Sequence, residues 1–308
     1  MADPDSWRHA IDAVVLNFRT PLDTLAAVQS LVASEERLRH IYVVDNDQSD
    51  ECRRALASVW GRIDYRQMPS NLGYSGGMNA GIREALNCGA GAVLLVNSDV
   101  LVPPDCLREL CECLDDSRGA GIAGPVVLAQ RDLERVVSLG LSYNPWTGRM
   151  KHRGFGRSRR TLELPRALVV DAVSGCFMLI RRGTFERCGL LEDAYFFTFE
   201  DLDLCLRARH YGLGTLLAGR AFVYHEGGRS LDSRSPRRHY FAARNHLLLA
   251  SRVSAPAGPP TRFCRSASII ALNFAYAVRC GPDLLPARLS AVARGIRDHR
   301  RRRYGADR

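Results

Sequence analysis

The sequence predicts an α/β fold in which a mostly parallel sheet is flanked by helices. Short β-branched runs, DAVVLNF, HIYVVDN, IDYRQM and AVLLVNSDV, alternate with segments of helical periodicity through the first half of the chain. Alternating strands and helices are typical of parallel sheets, because each helix returns the chain to the same edge. The 308 residues, 46% of them hydrophobic, suffice for a full core.

The elements differ between the two parts of the chain. A first helix is expected to open at the cap-like TPLD of Thr20 to Asp23, and another to begin at about Gly77. From about Pro236 three helical segments follow one another, interrupted by SAPAGPPT and CGPD. We therefore expect an α/β domain over residues 1–235 and a helical region over residues 236–308.

Two classes of protein are disfavoured by the composition. The N-terminal MADPDSWRHA lacks the basic and apolar segments of a secretion signal, and the apolar run from Ala267 to Val278 is too short to span a bilayer. Ten cysteines without a CxxC pair argue against a zinc ribbon or a disulfide scaffold. The expected location is cytoplasmic, with reduced thiols.

The net charge of +10 is concentrated at the C-terminal end, in RGIRDHRRRRYGADR. Such a cluster is either a solvated helix end or a contact for anionic lipid headgroups, which would place the protein peripherally on the inner membrane face. Nucleic acid is not an expected partner, because no reader motif accompanies the charge.

Polar residues follow the predicted strands at the edge where ligands of parallel sheets bind. Asn17 and Asp45 end the first two strands, and the third leads into NLGYSGGMNAG, whose glycines suit a turn that feeds an anion-attracting helix N-terminus. This loop is neither a dinucleotide-binding nor a P-loop motif. Asp99 follows the fourth strand, where it either ligates Mg²⁺ or Mn²⁺ or caps the next helix.

Three acids, Glu200, Asp201 and Asp203, lie inside the aromatic and aliphatic run YFFTFEDLDLCLRARHYG. Burying a carboxylate that has no pairing partner costs roughly several kcal/mol of folding free energy. The acids are therefore either functional or paired with Arg207 or Arg209, and pairing is the preferred interpretation for Glu200 and Asp203.

In this order, the segments VVLNFRTP, VVDNDQSD, NLGYSGGMNAGI, LLVNSD, SGCFMLIRR, FEDLDLCLRARHYG and VYHEGGRS resemble family 2 glycosyltransferases of GT-A fold, especially their rhamnosyltransferase-like branch. The resemblance covers roughly Ile11 to Leu249. It implies inverting, metal-dependent transfer from a nucleotide-diphosphate sugar, dTDP-rhamnose or a UDP-sugar, to a hydroxyl of a glycan, lipid-linked or natural-product acceptor. Mg²⁺ or Mn²⁺ is the implied cofactor.

The resemblance also implies individual roles. Asp201 corresponds to the general base, Asp45 to the acid that accepts the N3–H of uracil or thymine, and Asp99 to the last acid of a DxD metal motif whose first acid is here Asn97. Arg244 and Asn245 match a recurrent element without a clear assignment. The candidate residues are catalytic Asp201 and Glu200; donor-binding Asn17, Asp45, Asn71, Gly73, Gly77, Asn97, Arg229 and Ser230; and metal-binding Asp99 and His225.

Two alternative functions remain. A sugar-nucleotide pyrophosphorylase also has a nucleotide-binding α/β sheet, but it should carry an N-terminal glycine-rich loop, and VVLNFRTP has no glycine. A non-catalytic carbohydrate-binding protein would be free to lose Asp45, Asp99 and Asp201, all of which are present.

Overall fold

The computed structural model describes residues 7–226, 232, 234–253 and 258–307. The strands of this part are β1 (Ile11–Asn17), β2 (His40–Asp45), β3 (Asp64–Gln67), β4 (Ala92–Asn97), β5 (Val100–Leu101), β6 (Ala120–Ala129), β7 (Val136–Ser138), β8 (Leu141–Tyr143), β9 (Met150–His152), β10 (Ala167–Val169), β11 (Phe177–Arg181) and β12 (Gly214–His225). The helices are α1 (Pro21–Val32), α2 (Glu51–Ala55), α3 (Gly73–Asn87), α4 (Cys106–Asp115), α5 (Arg182–Cys188), α6 (Glu200–His210), α7 (Pro236–Val253), α8 (Pro259–Arg279) and α9 (Leu285–Arg300).

One large mixed sheet, built from the described strands other than β8 and β9, forms the centre of the α/β part. Its main path runs β10-β12-β6-β11-β4-β1-β2-β3, with β5 added to β12 and β7 to β6. The four predicted strands β1 to β4 are parallel to one another, and β11 joins β4 to β6 in the antiparallel sense. The predicted α/β fold is confirmed, and the antiparallel strands are an addition to it.

Apolar side chains cover both faces of the sheet. β1 is buried along its whole length, as expected of a strand with helices on both sides. Alternate β1 residues enter two clusters: Val14 packs with Met78 and Ile82 of α3, and Val15 packs with Val28 of α1 and Leu107 of α4. The sheet is therefore the middle layer of three.

Helix α3 begins one turn earlier than predicted, at Gly73. Gly77 and Gly81 consequently lie within the helix, and they allow α3 to approach β1 closely. A Cβ atom on Gly77 would lie 2.5 Å from Leu16 Cδ1, and one on Gly81 would lie 2.4 Å from Val14 Cγ1. These two glycines serve helix–sheet packing and are not part of a loop, which corrects the prediction for Gly77.

The three C-terminal helices share an apolar cluster that includes Ala243, Leu247, Ile269, Val292 and Ile296. Helix α7 also packs on the segment before α6, where Phe196 stacks on Phe241 with ring centroids 5.5 Å apart. None of the helices in the described ranges is both long enough and apolar enough to cross a membrane. The division at residue 235 stays a prediction.

Candidate functional site

A cavity opens where β1, β2 and β4 end, at the sheet edge predicted from the sequence. The residues that line it come from strand ends, the start of α3, the segment before α6 and the first turns of α7: Leu16, Phe18, Asn46, Asn71, Gly73, Tyr74, Asn97, Ser98, Asp99, Phe196, Phe197, Arg237 and Phe241.

Asp99 lines one corner of the cavity, and it contacts the other predicted metal ligand, His225, which is not itself among the lining residues. Strand β5 pairs with β12 so that Val100 lies opposite His225, and this register brings the neighbouring Asp99 to the end of β12. His225 Nε2 lies 3.1 Å from Asp99 Oδ1. Asp99 therefore takes part in a long-range contact at this corner.

Asn97 stands in the same corner, and its Oδ1 is buried without a hydrogen-bond partner. The described residues contain no cluster of three or more His, Cys, Asp and Glu that would hold an ion alone. Mg²⁺ needs only one or two protein carboxylates when substrate phosphates supply other ligands. Asp99, His225 and the unsatisfied oxygen of Asn97 thus fit a cation that binds together with a diphosphate.

Asp45 lies behind the cavity wall, fully buried. Its Oδ1 accepts hydrogen bonds from Asn17 Nδ2 at 2.7 Å and from the Asp47 amide at 2.9 Å, and its Oδ2 accepts from the Tyr65 hydroxyl at 2.6 Å. Burial and this carboxylate raise the pKa of Tyr65, so the phenol remains a donor. Direct contact of Asp45 with a base would require these bonds to be exchanged.

Asn17 is also internal. Its Oδ1 accepts from the backbone N–H of Thr20 at 3.2 Å and from the hydroxyl of Thr24 at 2.9 Å, which fixes the start of α1. Together with its bond to Asp45, this makes Asn17 a link between β1, β2 and α1. The predicted donor-binding residue is thus placed one layer behind the cavity surface.

The neighbouring Asn46 lines the cavity. Its Nδ2 donates to the carbonyl of Gly73 at 2.8 Å, whereas its Oδ1 is buried without a partner. Asn71 Oδ1 accepts from the Gly73 amide at 2.8 Å, and the Tyr74 amide donates to Phe196 O at 2.6 Å. Two of the first amides of α3 are therefore engaged within the protein.

The segment before α6 has an unusual backbone. Phe196, Thr198 and Phe199 have φ values of 63°, 67° and 77°, in the left-handed region that bulky residues rarely adopt. Each costs on the order of 1 kcal/mol or more and persists only when the surroundings enforce it. Phe196 O approaches Gly73 so closely that a Cβ there would lie 2.4 Å away, and φ of Gly73 is itself 74°.

Asp201 lies on the first turn of α6, near the cavity but not among its lining residues. Its Oδ2 accepts from the Gly175 amide at 2.9 Å and its Oδ1 from the Leu202 amide at 2.7 Å. The Gly175 carbonyl in turn accepts from the Tyr74 hydroxyl at 2.5 Å, which connects Asp201 with the cavity wall. Burial raises the pKa of Asp201, and the backbone bonds oppose that shift.

Glu200 is buried, and its Oε2 has no hydrogen-bond partner. Burial, reinforced by the charge of Asp201, raises the pKa of Glu200 well above its ordinary value. The expected pairing of Glu200 with Arg207 or Arg209 is wrong, because Arg207 bonds Asp203 and Arg209 bonds Asp171.

For Asp203 the expected pairing is confirmed. Its Oδ2 lies 2.6 Å from Arg207 Nε, and its Oδ1 accepts from the Tyr195 hydroxyl at 3.0 Å. Arg252 of α7 adds a second ion pair at 3.2 Å, which the sequence spacing did not suggest. The buried acid is therefore a structural group that ties α6 to α7.

The structure adds to the predicted set and leaves part of it open. Arg229 and Ser230 lie outside the described residues. Asp45, and not its neighbour Asn46, was predicted to bind the donor. The contribution of α7 to the cavity depends on long-range packing, which no local sequence motif indicates. The lining residues that are not in the candidate set are Leu16, Phe18, Asn46, Tyr74, Ser98, Phe196, Phe197, Arg237 and Phe241.

Comparisons with known proteins agree with this geometry. The chain is 29% identical over 203 residues to the low-salt glycan biosynthesis hexosyltransferase Agl10 of Haloferax volcanii, covering 62% of this chain and 63% of that protein. It is 24% identical over 254 residues to the dTDP-rhamnosyl transferase RfbF of Shigella flexneri, covering 80% and 81%. It is 24% identical over 266 residues to the N-acetylglucosaminyl-diphospho-decaprenol L-rhamnosyltransferase of Mycobacterium tuberculosis, covering 78% and 84%.

Solved structures share the fold. The mannosyltransferase PcManGT of Pyrobaculum calidifontis, in complex with GDP-Man and Mn²⁺, superimposes with a TM-score of 0.58 at 16% identity, covering 96% of this chain and 83% of that one. TarS 1–349 of S. aureus, in complex with UDP-GlcNAc, gives 0.57 at 13% identity, covering 93% and 80%. The predicted GT-A fold is confirmed.

The family model described as "Glycosyltransferase like family 2" matches residues 9–242, from the residues before β1 into α7. The match includes all the described residues that line the cavity as well as Asp99, Asp201 and His225. The prediction of sugar transfer from a nucleotide-sugar donor is confirmed at the level of the family. The chain belongs to glycosyltransferase family 2.

Proposed function

We propose that the protein is an inverting, metal-dependent glycosyltransferase that moves a sugar from a nucleoside-diphosphate donor to an acceptor hydroxyl. The observation that carries this proposal is the convergence of Asn97, Asp99 and His225 at one corner of a cavity that also adjoins Asp201. A metal-compatible corner and a carboxylate beside the same cavity are what a single displacement at the anomeric carbon requires.

The diphosphate binds at the metal corner in this proposal. Asp99 and His225 hold Mg²⁺ or Mn²⁺, which supplies charge neutralisation for the departing diphosphate. The carbonyl oxygen of Asn97 has no protein partner, so it is free to accept from a ribose hydroxyl or a metal-bound water. PcManGT was solved with Mn²⁺, and this supports the choice of a divalent cation.

The nucleoside occupies the wall formed by Phe18 and Asn46. The unpartnered Asn46 Oδ1 is an acceptor that matches the N3–H of uracil or thymine. Asp45 contributes by holding Asn17 and Tyr65 behind this wall, so its predicted role in base selection is exerted through the wall. A relative named as a dTDP-rhamnosyl transferase supports a thymine nucleotide, and dTDP-rhamnose or a UDP-sugar is the proposed donor.

Asp201 is the proposed general base. It removes the proton from the acceptor hydroxyl while that oxygen attacks the anomeric carbon on the face opposite the diphosphate. Burial shifts the pKa of Asp201 upward, which is the direction that favours a base working at a higher pH than a free aspartate. One relative's name specifies a diphospho-decaprenol acceptor, so lipid-linked glycans are the first acceptors to examine.

Incubation with labelled sugar nucleotides and Mg²⁺ or Mn²⁺ tests the proposal. We expect slow donor hydrolysis without acceptor, faster turnover with a suitable hydroxyl acceptor, and loss of both in EDTA. Release of nucleoside triphosphate in the presence of pyrophosphate would instead indicate a pyrophosphorylase. Calorimetric binding of sugars without turnover of any donor would indicate a carbohydrate-binding protein.

We also propose that the acceptor is reached from an anionic membrane surface at the cytoplasmic face, with α8 as the contacting helix. Within the apolar run from Ala267 to Val278, Ile269 is fully buried in the helical cluster and is not part of the contact surface. Phe263 and Val278, at 74% and 55% exposure, lie on the outer side of α8. The helix contains no acidic residue, and Arg300, the last residue of α9, and the following Arg301–Arg303 are exposed.

Co-sedimentation with vesicles tests this contact. Protein should bind vesicles that contain anionic lipid more strongly than neutral vesicles at low salt, because each arginine near the surface adds about 1 kcal/mol. Phe263→Ser and Val278→Ser should weaken binding, whereas Trp146→Ser, a change at another exposed apolar residue, should not. Equal binding to neutral and anionic vesicles would contradict the proposal.

A further inference from the structure

The segment that precedes α6 is held from outside along its whole backbone. Residues 194–198 contain no glycine, yet Phe196 and Thr198 have left-handed φ values, as does the following Phe199. Such a conformation persists only where neighbouring groups determine it. The carbonyl groups of this segment show which neighbours do so.

Two consecutive residues of α7 bind four of these five carbonyls. Asn245 Nδ2 lies 2.9 Å from Tyr195 O, 2.7 Å from Phe197 O and 3.1 Å from Thr198 O. Arg244 Nη2 lies 3.2 Å from Ala194 O and 2.9 Å from Tyr195 O. The remaining carbonyl, of Phe196, accepts from the Tyr74 amide, as described above.

The pair is preorganised. Arg244 and Asn245 are both fully buried, and Arg244 Nε donates to Asn245 Oδ1 at 2.9 Å, which orients the amide with its N–H groups toward the segment. Arg244 Nη1 donates to the Gly305 carbonyl at 2.6 Å, and the Gly305 amide donates to Ala194 O at 3.1 Å. The guanidinium is thus bonded to neutral acceptors, and burial lowers the pKa of Arg244.

We propose that Arg244 and Asn245 are positioning residues for the transfer reaction, which fix residues 194–198 so that α6 begins at Glu200 and Asp201 stays beside the cavity. This inference rests on the proposed function, in which Asp201 is the base. It assigns a role to the Arg-Asn element that the sequence left unassigned. The held segment can act on the base over a short distance along the chain, because Thr198 and Phe197 lie only three and four residues before Asp201.

A purely structural role would look different. Arg288 is another fully buried arginine of the helical region, and it donates to the carbonyls of Ala277, Cys280 and Gly281 at the end of α8. Those acceptors are not among the residues that line the cavity. Arg288 is therefore a matched control for Arg244: the same side chain, the same burial and the same type of acceptor, without contact to the segment before α6.

The test compares kcat with donor affinity. Asn245→Asp replaces the donating amide by a carboxylate that faces three carbonyl oxygens, and Arg244→Lys removes the fork that spans Ala194 and Gly305. We expect kcat to fall by up to about 10²-fold, the cost of a misplacement near 1 Å, with donor Kd changed less than about threefold. Arg288→Lys should leave kcat near wild type even if its thermal stability falls.

A double variant separates positioning from general destabilisation. If the pair acts through Asp201, then Asn245→Asp should cost less than about threefold in kcat when Asp201→Asn is already present. Hydrogen exchange of residues 194–202 should rise in Asn245→Asp, with the β1 and β4 amides unchanged. If the wild type turns over and Asn245→Asp has a normal kcat, the positioning role alone is overturned. Absence of turnover in wild type with every donor would refute the proposed function and the positioning role together.

Discussion

The two sides of the cavity are built by different means. The metal corner, with Asn97 and Asp99, lies at the end of β4 and is completed by the β5–β12 ladder that brings in His225. The side next to Asp201 depends on a left-handed segment that α7 holds by its carbonyls. Regular pairing positions the first side, and buried polar contacts between remote residues position the second.

This difference separates binding from chemistry. The polar side chains at the strand ends suit a ligand that brings its own hydrogen-bond donors and charges. Two of them, Asn46 and Asn97, have buried amide oxygens without a hydrogen-bond partner. A carboxylate held by two backbone amides beside a strained segment suits a group whose orientation decides the rate. Changes on the metal side should therefore alter donor affinity, and changes on the Asp201 side should alter kcat.

The largest effect should come from Asp201→Asn. The amide cannot accept the acceptor's proton, and general-base catalysis is typically worth about 10²–10⁴-fold, so kcat should fall by that factor. Donor Kd, measured by calorimetry, should stay within about threefold of wild type. Because an amide can accept from only one of the Gly175 and Leu202 amides, thermal unfolding should be measured alongside. A folded variant with normal turnover on a confirmed acceptor would remove Asp201 from the role of base.

Asp99→Ala should have the second-largest effect, and it should change the donor affinity, whereas Asp201→Asn changes kcat. Losing a contact between charged groups costs about 1.5–3 kcal/mol, so donor Kd should rise by about 10–100-fold. Wild type in EDTA should show a similar loss of affinity, and adding EDTA to the variant should change little. Full donor affinity in metal-free buffer would contradict this role of the corner formed by Asn97 and Asp99, since the corner would then bind the donor without a metal.

The sequence predicted the metal side better than the Asp201 side, for a physical reason. Strand ends, their polar residues and the sheet edge follow from local periodicity, so the positions of Asn97 and Asp99 were foreseen. The metal-binding role of His225 was implied only by the family resemblance. The burial of Asp45 depends on Tyr65 of β3, which donates to it across neighbouring strands. The left-handed segment depends on Asn245, about 50 residues away along the chain. Local patterns do not encode such contacts, and the start of α3 was likewise misplaced because Gly77 packs on Leu16.

Gly77→Ala tests how far the cavity wall at Asn46 depends on the packing of α3 against β1. The new Cβ would lie 2.5 Å from Leu16 Cδ1 and 2.8 Å from Asn46 Nδ2, so these buried side chains or α3 itself must shift. Overpacking of this kind costs about 1–3 kcal/mol of unfolding free energy. Gly183→Ala is the control, since that helical glycine of α5 has open space around its Cβ and should be neutral or slightly stabilising. Equal unfolding free energies for the two variants would show that α3 adjusts freely.

The smallest effect should come from Glu200→Gln, although Glu200 is adjacent to the proposed base. Burial raises its pKa well above the ordinary glutamate value, which favours the protonated acid, and a glutamine resembles that form, so kcat should change less than about threefold. A raised pKa means that the folded state binds more protons than the unfolded state, so the contribution of Glu200 to stability is lost as the pH rises above the ordinary glutamate pKa. Glu200→Gln lacks this loss, and its thermal midpoint should gain on wild type as the pH rises above that value. If Glu200→Gln were inactive while Asp201→Asn turned over normally, the base would be Glu200, and the segment held by α7 would serve the other carboxylate.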